Sequence, residues 1–290
     1  MIDPAELYER ARRVGIPEAD LPRQSPHPGR RLPLEGGLNF RDMGGYPTTE
    51  GGTTRWGVLY RSDHLNTLTD GDVAHLDSLG LERVHDFRLQ KERDRQPSRL
   101  PDGVEVRHLA AVDLGLDETM VDVVQDVLAG RRPLPPPTFW DDNYEDMVER
   151  ARPMFSALIN SITDDDGSGL PSLFHCTGGK DRTGLAGVLV LELAGVDRAT
   201  AIDDFLLTNL YRTPVRAEAL REQLTAVGVS VADALPILGV TRSAIERALA
   251  SIDGRHGGVE AYVLASGARA DAREAIRRVL VEPAAPDPTP

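Results

Sequence analysis

The sequence of 290 residues has one cysteine, Cys176, and only two lysines, Lys91 and Lys180. A single thiol excludes an internal disulfide, a dithiol redox centre and every multi-cysteine zinc or iron–sulfur site. Basic charge is short as well: 33 Lys and Arg face 46 Asp and Glu, a formal net charge of −13. General nucleic-acid binding relies on a basic surface and is not expected on that balance. Any attraction for an anionic ligand must come from a local site. Long apolar runs are missing too. The stretch from Leu185 to Val196 contains Glu192 and falls short of the roughly 18 apolar residues of a membrane span. The opening MIDPAELYERARR is charged and helix-like, without the basic and then apolar regions of a secretory signal. A cytoplasmic location is the expectation, and secretion by a signal-independent route stays compatible with it.

With 40% apolar residues, the sequence has the composition of a globular protein with a substantial core. Residues 1–35 read as a short helix followed by a Pro-rich approach. Short β-like runs follow: Gly57 to Arg61, Glu82 to Phe87, and Val104 to Leu109. Between the first two, Thr69-Asp70-Gly71-Asp72 leads into Val73, Leu76 and Leu79, the spacing of a capped amphipathic helix ending at Gly80. The Pro-rich loop 132–137 can be neither helix nor inner strand. It leads into one long helix expected from about Trp140 to Ile162. Leu170 to Phe174 is short and apolar, as a buried central strand should be, and residues 183–280 are mostly helical. The alternation predicts an α/β fold, a mostly parallel central sheet flanked by helices. Residues 36–282 form the main domain on this reading, and 283–290 a disordered tail.

The stretch His175-Cys176-Thr177-Gly178-Gly179-Lys180-Asp181-Arg182-Thr183-Gly184 lies between that central strand and a helix. Backbone N–H groups of such a loop and of the first helical turn converge on one point, a ready cradle for phosphate. Gly178 and Gly179 let the backbone turn sharply and approach an anion closely. The same field favours a thiolate at Cys176, which could attack phosphorus, while the planar fork of Arg182 could hold two phosphate oxygens. The nucleotide-binding pattern GxxxxGK[ST] is absent. One of the two lysines falls inside this loop, although compositional bias toward arginine explains the scarcity in general.

This loop resembles the signature of the protein tyrosine phosphatase superfamily: His-Cys, five residues, Arg, then Ser or Thr. The Gly-Lys-Asp-Arg variant is similar to a bacterial tyrosine phosphatase family with that loop. Residues 39–63, NFRDMGGYPTTEGGTTRWGVLYRSD, and 83–92, RVHDFRLQKE, resemble the same family's N-terminal blocks, with Phe87 in place of a leucine. The resemblance implies a cysteine-dependent phosphatase fold, with 203–252 as a helical, lid-like region. It implies no cofactor and no metal. It makes Cys176 the nucleophile, through a thiophosphate intermediate, and Arg182 the clamp. Thr183 would hydrogen-bond the departing sulfur, and His175 would organise the loop. Thr177, Gly178, Gly179 and Lys180 complete the substrate-binding set. Asp181 and Asp86 both remain candidates for the general acid, Asp181 the preferred one. A lysine at position 180 goes with acceptance of inositol phospholipids in related enzymes. The expected substrates are therefore phosphotyrosine proteins, with phosphoserine, phosphothreonine and phosphoinositides beside them, and phosphate as product. Arg41 and Asp42 read as a structural ion pair, Arg61 likewise; Arg88 is open between pocket edge and scaffold. The competing classes are a phosphate-binding module without turnover, and an arsenate reductase or sulfurtransferase. The first expects a missing Cys or Arg, and arsenate reduction expects further cysteines; this sequence has neither feature.

Overall fold

Strand Ser172–His175 is buried at all four positions and forms the middle of the sheet. Leu173 and Phe174 alternate onto opposite faces, as pleating requires, and each anchors a separate core cluster. The computed structural model describes residues 3–109, 120–136 and 138–284. Among these residues the strands are β1 (Arg41–Asp42), β2 (Thr53–Thr54), β3 (Leu59–Ser62), β4 (Arg83–Asp86), β5 (Glu105–His108), β6 (Ser172–His175) and β7 (Val281–Glu282). The main sheet has the order β1-β3-β6-β4-β5. Only the β1–β3 pair is antiparallel; β3–β6, β6–β4 and β4–β5 are parallel. β2 and β7 pair separately. The mostly parallel, helix-flanked α/β sheet expected from the sequence is the sheet observed. The strands read as β-like are present with boundaries shifted by one or two residues, whereas the two-residue strands β1, β2 and β7 leave no periodicity to read.

The smaller cluster packs Phe40, Tyr60, Leu76, Val84 and Leu173 under the helix Asp70–Ser78. Thr69 and Asp72 close its start with a reciprocal capping box. The larger cluster surrounds the helix Arg182–Ala194, which is buried at eleven positions and therefore has no polar face. Gly184 and Gly187 face Phe205 and Arg61 there, so closely that a Cβ would stand 2.7 and 2.8 Å from those side chains.

The long helix expected from Trp140 to Ile162 is two helices, Phe139–Arg150 and Arg152–Ile162, divided at Ala151. Pro153, in the first turn of the second, lacks an N–H and disfavours helical backbone at the residue before it. The region 203–252 runs through the helices Arg198–Leu206, Thr208–Tyr211, Thr213–Ala226, Val231–Leu238 and Arg242–His256. The C-terminal tail read from the sequence lies outside the described residues from 285 onward, as does position 137 of the Pro-rich loop. No helix among the described residues is long and apolar enough to cross a membrane.

Candidate active site

The loop leaves β6 at Cys176 and enters the helix at Arg182. Cys176 Sγ accepts the Gly179 N–H at 3.3 Å. Gly179 has φ +62°, and a Cβ there would stand 2.5 Å from the Asp63 nitrogen and the Ser62 oxygen. Both the left-handed backbone and the close approach require glycine. The Gly179 carbonyl is fixed from outside by Asn39 Nδ2 at 2.9 Å and Arg61 at 3.1 Å. The peptide is thereby turned with its N–H toward the sulfur.

These fixing groups come from the NFRD and YRSD segments. Arg41 does not pair with Asp42. Its Nε donates to Asp204 Oδ1 at 3.1 Å, and Arg61 donates to Asp204 Oδ2 at 2.6 Å, all three side chains being fully buried. Tyr46 adds a hydroxyl to the same carboxylate. Burial pushes Asp204 up, but the two guanidiniums outweigh it and hold the carboxyl well below the usual range. Burial draws Arg61 down to about 10. Asp42 instead accepts the Gly44 and Gly57 N–H groups, both at 2.7 Å, because the tight β1–β3 connection leaves those donors unpaired. Asp63 accepts the Leu38 and Asn39 N–H groups.

A cavity of about 360 Å³ opens above the loop. Cys176, Thr177, Gly178, Lys180, Asp181 and Arg182 line it; His175, Gly179, Thr183 and Asp86 do not. Arg182 is gripped from behind by Glu92, with N–O distances of 2.9 and 3.0 Å, and donates to the Phe87 carbonyl at 2.8 Å. Glu92 also accepts the Thr177 hydroxyl at 2.5 Å. Burial raises the Glu92 pKa, Arg182 opposes it more strongly, and the net direction is down. Asp181 Oδ1 accepts the Tyr144 hydroxyl at 2.8 Å and Lys180 Nζ at 3.0 Å. Lys180 donates to the Gly239 carbonyl as well, and burial lowers its pKa. Glu92 and Tyr144 escape sequence reasoning; the only trace of Glu92 is its place at the end of the RVHDFRLQKE block.

Asp86 faces away from the cavity. It receives Arg88 through the backbone N–H at 2.9 Å and through Nε and Nη2 at 3.0 and 2.8 Å, which places Arg88 in the scaffold. Burial pushes Asp86 up, yet the Arg88 guanidinium and the hydrogen bonds it donates overcome this and lower its pKa. His175 sits 3.7 Å from Asp86 and touches the Cys176 carbonyl through Nδ1 at 3.2 Å. Thr183 is fully buried, its hydroxyl without a hydrogen-bond partner among the described residues. No cluster of three or more His, Cys, Asp or Glu suited to a metal ion occurs among the described residues.

Burial pushes His175 down to about 4 and His85 down to about 3. Both rings are neutral in the folded protein, whereas unfolded histidine titrates near 6.5. The stability they contribute is complete above that value and is lost as pH falls through about 4. Between pH 7 and 5 the loss is on the order of 2 kcal/mol per ring. Urea midpoints measured at pH 7, 6 and 5 should fall in step, and a flat midpoint over that window contradicts the assignment.

The tyrosine phosphatase family model matches residues 32–282. A candidate tyrosine-protein phosphatase of Cupriavidus necator is 32% identical over 225 residues, covering 78% of this chain and 80% of that protein. The triple specificity protein phosphatase PtpB of Mycobacterium tuberculosis is 30% identical over 281 residues, 86% of this chain and 98% of that protein. A solved structure of a P. aeruginosa TpbA variant in complex with phosphotyrosine covers 82% of this chain and 96% of its own, at 16% identity and a TM-score of 0.34. The family match takes in the whole sheet, the loop and the helices above it, and the chain belongs to the tyrosine phosphatase family.

Proposed function

We propose that the protein hydrolyses phosphotyrosyl proteins through a thiophosphate intermediate on Cys176. The observation that carries this is one cavity wall presenting the Cys176 thiol, the Arg182 guanidinium and the Asp181 carboxyl together. In the first step the Cys176 thiolate attacks phosphorus, an S–P bond forms and the P–O bond to the leaving group breaks. Asp181 gives its proton to the leaving oxygen. In the second step Asp181, now a carboxylate, takes a proton from water, whose oxygen attacks phosphorus. The S–P bond breaks and phosphate departs. Arg182 holds the equatorial oxygens through both steps, its angle set by Glu92. The buried, unpartnered hydroxyl of Thr183 supports its role as donor to the departing sulfur.

Asp181 is preferred over Asp86 because it lines the cavity, while Asp86 is committed to Arg88. The apolar side chains Leu89, Val124, Leu128 and Met147 on the cavity wall suit an aryl leaving group. Lys180 within the loop supports a wider range that takes in phosphoserine, phosphothreonine and phosphoinositides. A thiolate nucleophile works best in reducing surroundings, which fits the cytoplasm. The helices from 203 to 252 act as a lid on this reading, since Arg212, Arg216, Ile237 and Leu238 form the far wall of the cavity. Initial rates on phosphotyrosine, phosphoserine and phosphothreonine peptides and on phosphoinositide vesicles test the substrate order. Phosphotyrosine peptides should give the highest kcat/KM; turnover confined to the vesicles would overturn that order.

A further inference from the structure

The lining of the cavity inverts the charge of the protein as a whole. Lys180, Arg182, Arg212 and Arg216 face it, and Asp181 is the one carboxylate among its described lining residues. Three of these cations already have acidic partners. Lys180 is on Asp181, Arg182 is on Glu92, and Arg212 lies 4.0 Å from Asp63 while donating to the Leu238 carbonyl at 3.2 Å. Arg216 differs. It stands one helical turn after Arg212, on the same face of Thr213–Ala226, and its guanidinium has no hydrogen bond or ion pair among the described residues. Two guanidiniums one turn apart repel each other unless an anion lies between them. The scissile phosphate does not satisfy this pair, because Arg182 and the loop N–H groups serve that group. The cationic pair lies on the wall formed with Ile237 and Leu238, and Cys176 opens onto the same space.

We propose that Arg212 and Arg216 form a second anion subsite, so that the preferred substrate is a phosphotyrosine segment carrying a further negative charge, an acidic side chain or a second phosphate, beside the reacting residue. This rests on the phosphotyrosine reading above. The apolar arc accommodates the tyrosyl ring while the arginine pair takes the neighbouring anion. A peptide fits better than a membrane headgroup. An inositol ring offers little surface for Leu89, Leu128 and Met147, and a chain of net charge −13 is repelled by a whole anionic bilayer plane more than by a few peptide charges.

The test uses phosphotyrosine peptides that differ only in the flanking residue (alanine, glutamate or a second phosphotyrosine), with wild type, Arg216→Lys and Arg216→Glu. For the wild type, KM should fall about tenfold from the alanine to the doubly phosphorylated peptide, with kcat little changed, and the ratio should narrow as salt is raised. Arg216→Lys should keep part of the preference, and Arg216→Glu should abolish or invert it. Equal KM values for the three peptides in wild type would overturn the proposal. So would a preference that survives Arg216→Glu, or a water-soluble inositol bisphosphate outcompeting the doubly charged peptide. Wild-type turnover of p-nitrophenyl phosphate separates the two levels: if that is absent the phosphatase reading itself fails, and if it is present without peptide preference only the subsite fails.

Discussion

Replacing Arg182 with methionine should lower kcat/KM on a phosphotyrosine peptide by about 10³-fold or more, and should destabilise the protein at the same time. The activity loss follows from removing preorganised donors aimed at the charged phosphoryl oxygens, where even one such donor is worth about 10²–10³-fold. The stability loss has a different origin. Glu92 lies against Arg182 with two N–O contacts and is 8% exposed. Without the guanidinium its carboxylate is buried and uncompensated, which typically costs about 3–5 kcal/mol. The two effects separate in a double-mutant cycle. Adding Glu92→Gln to Arg182→Met should recover most of the urea midpoint and none of the activity. Glu92→Gln alone should retain the fold and lose part of the activity, because the amide keeps one acceptor oxygen and Arg182 loses one of the two Glu92 contacts that fix its angle. A double variant that regains activity would show that Arg182 acts through the fold rather than on the phosphate.

Asp181→Asn should cost about 10²–10⁴-fold in kcat on phosphotyrosine peptides, the usual worth of a positioned general acid. The loss should shrink with better leaving groups, since an acidic phenol needs less help in departing. Asp86→Asn should behave otherwise. It leaves Arg88 without its carboxylate in a buried site, so the midpoint of unfolding falls while the leaving-group dependence keeps its shape. If instead the loss in Asp86→Asn shrinks with better leaving groups and the loss in Asp181→Asn does not, the two carboxylates have been assigned in the wrong order. Tyr144 and Lys180 both donate to Asp181 Oδ1, so the position of this acid is set by a helix thirty-seven residues upstream as well as by its own loop.

What the sequence made legible is local. Cys176, the glycines and Arg182 lie within seven positions between an apolar run and a helix start, and the backbone geometry of such a segment follows from that text alone. The capping box at Thr69 and Asp72 is equally local and was equally readable. The groups that fix the loop are distant in sequence and were not. Arg41 and Arg61 could be recognised as structural, but their shared partner, Asp204, is 163 and 143 positions away, and nothing in a single sequence joins them. Glu92 sits in a run of charged residues that reads as an exposed helix start, and only its approach to Arg182 across 90 positions gives it a role. The division at Ala151 was in principle legible, since Pro153 marks it. A proline in the first turn is compatible with a helix beginning there, and the apolar periodicity on either side hid the seam.

The most direct test of the central claim is hydrolysis of p-nitrophenyl phosphate by wild type and by Cys176→Ser, freshly reduced and with a metal chelator present. Activity that survives the chelator in wild type and falls by at least about 10⁴-fold in the serine variant is the expected result. A serine variant with near wild-type turnover, or a reduced wild type with none, would contradict catalysis by the Cys176 thiolate.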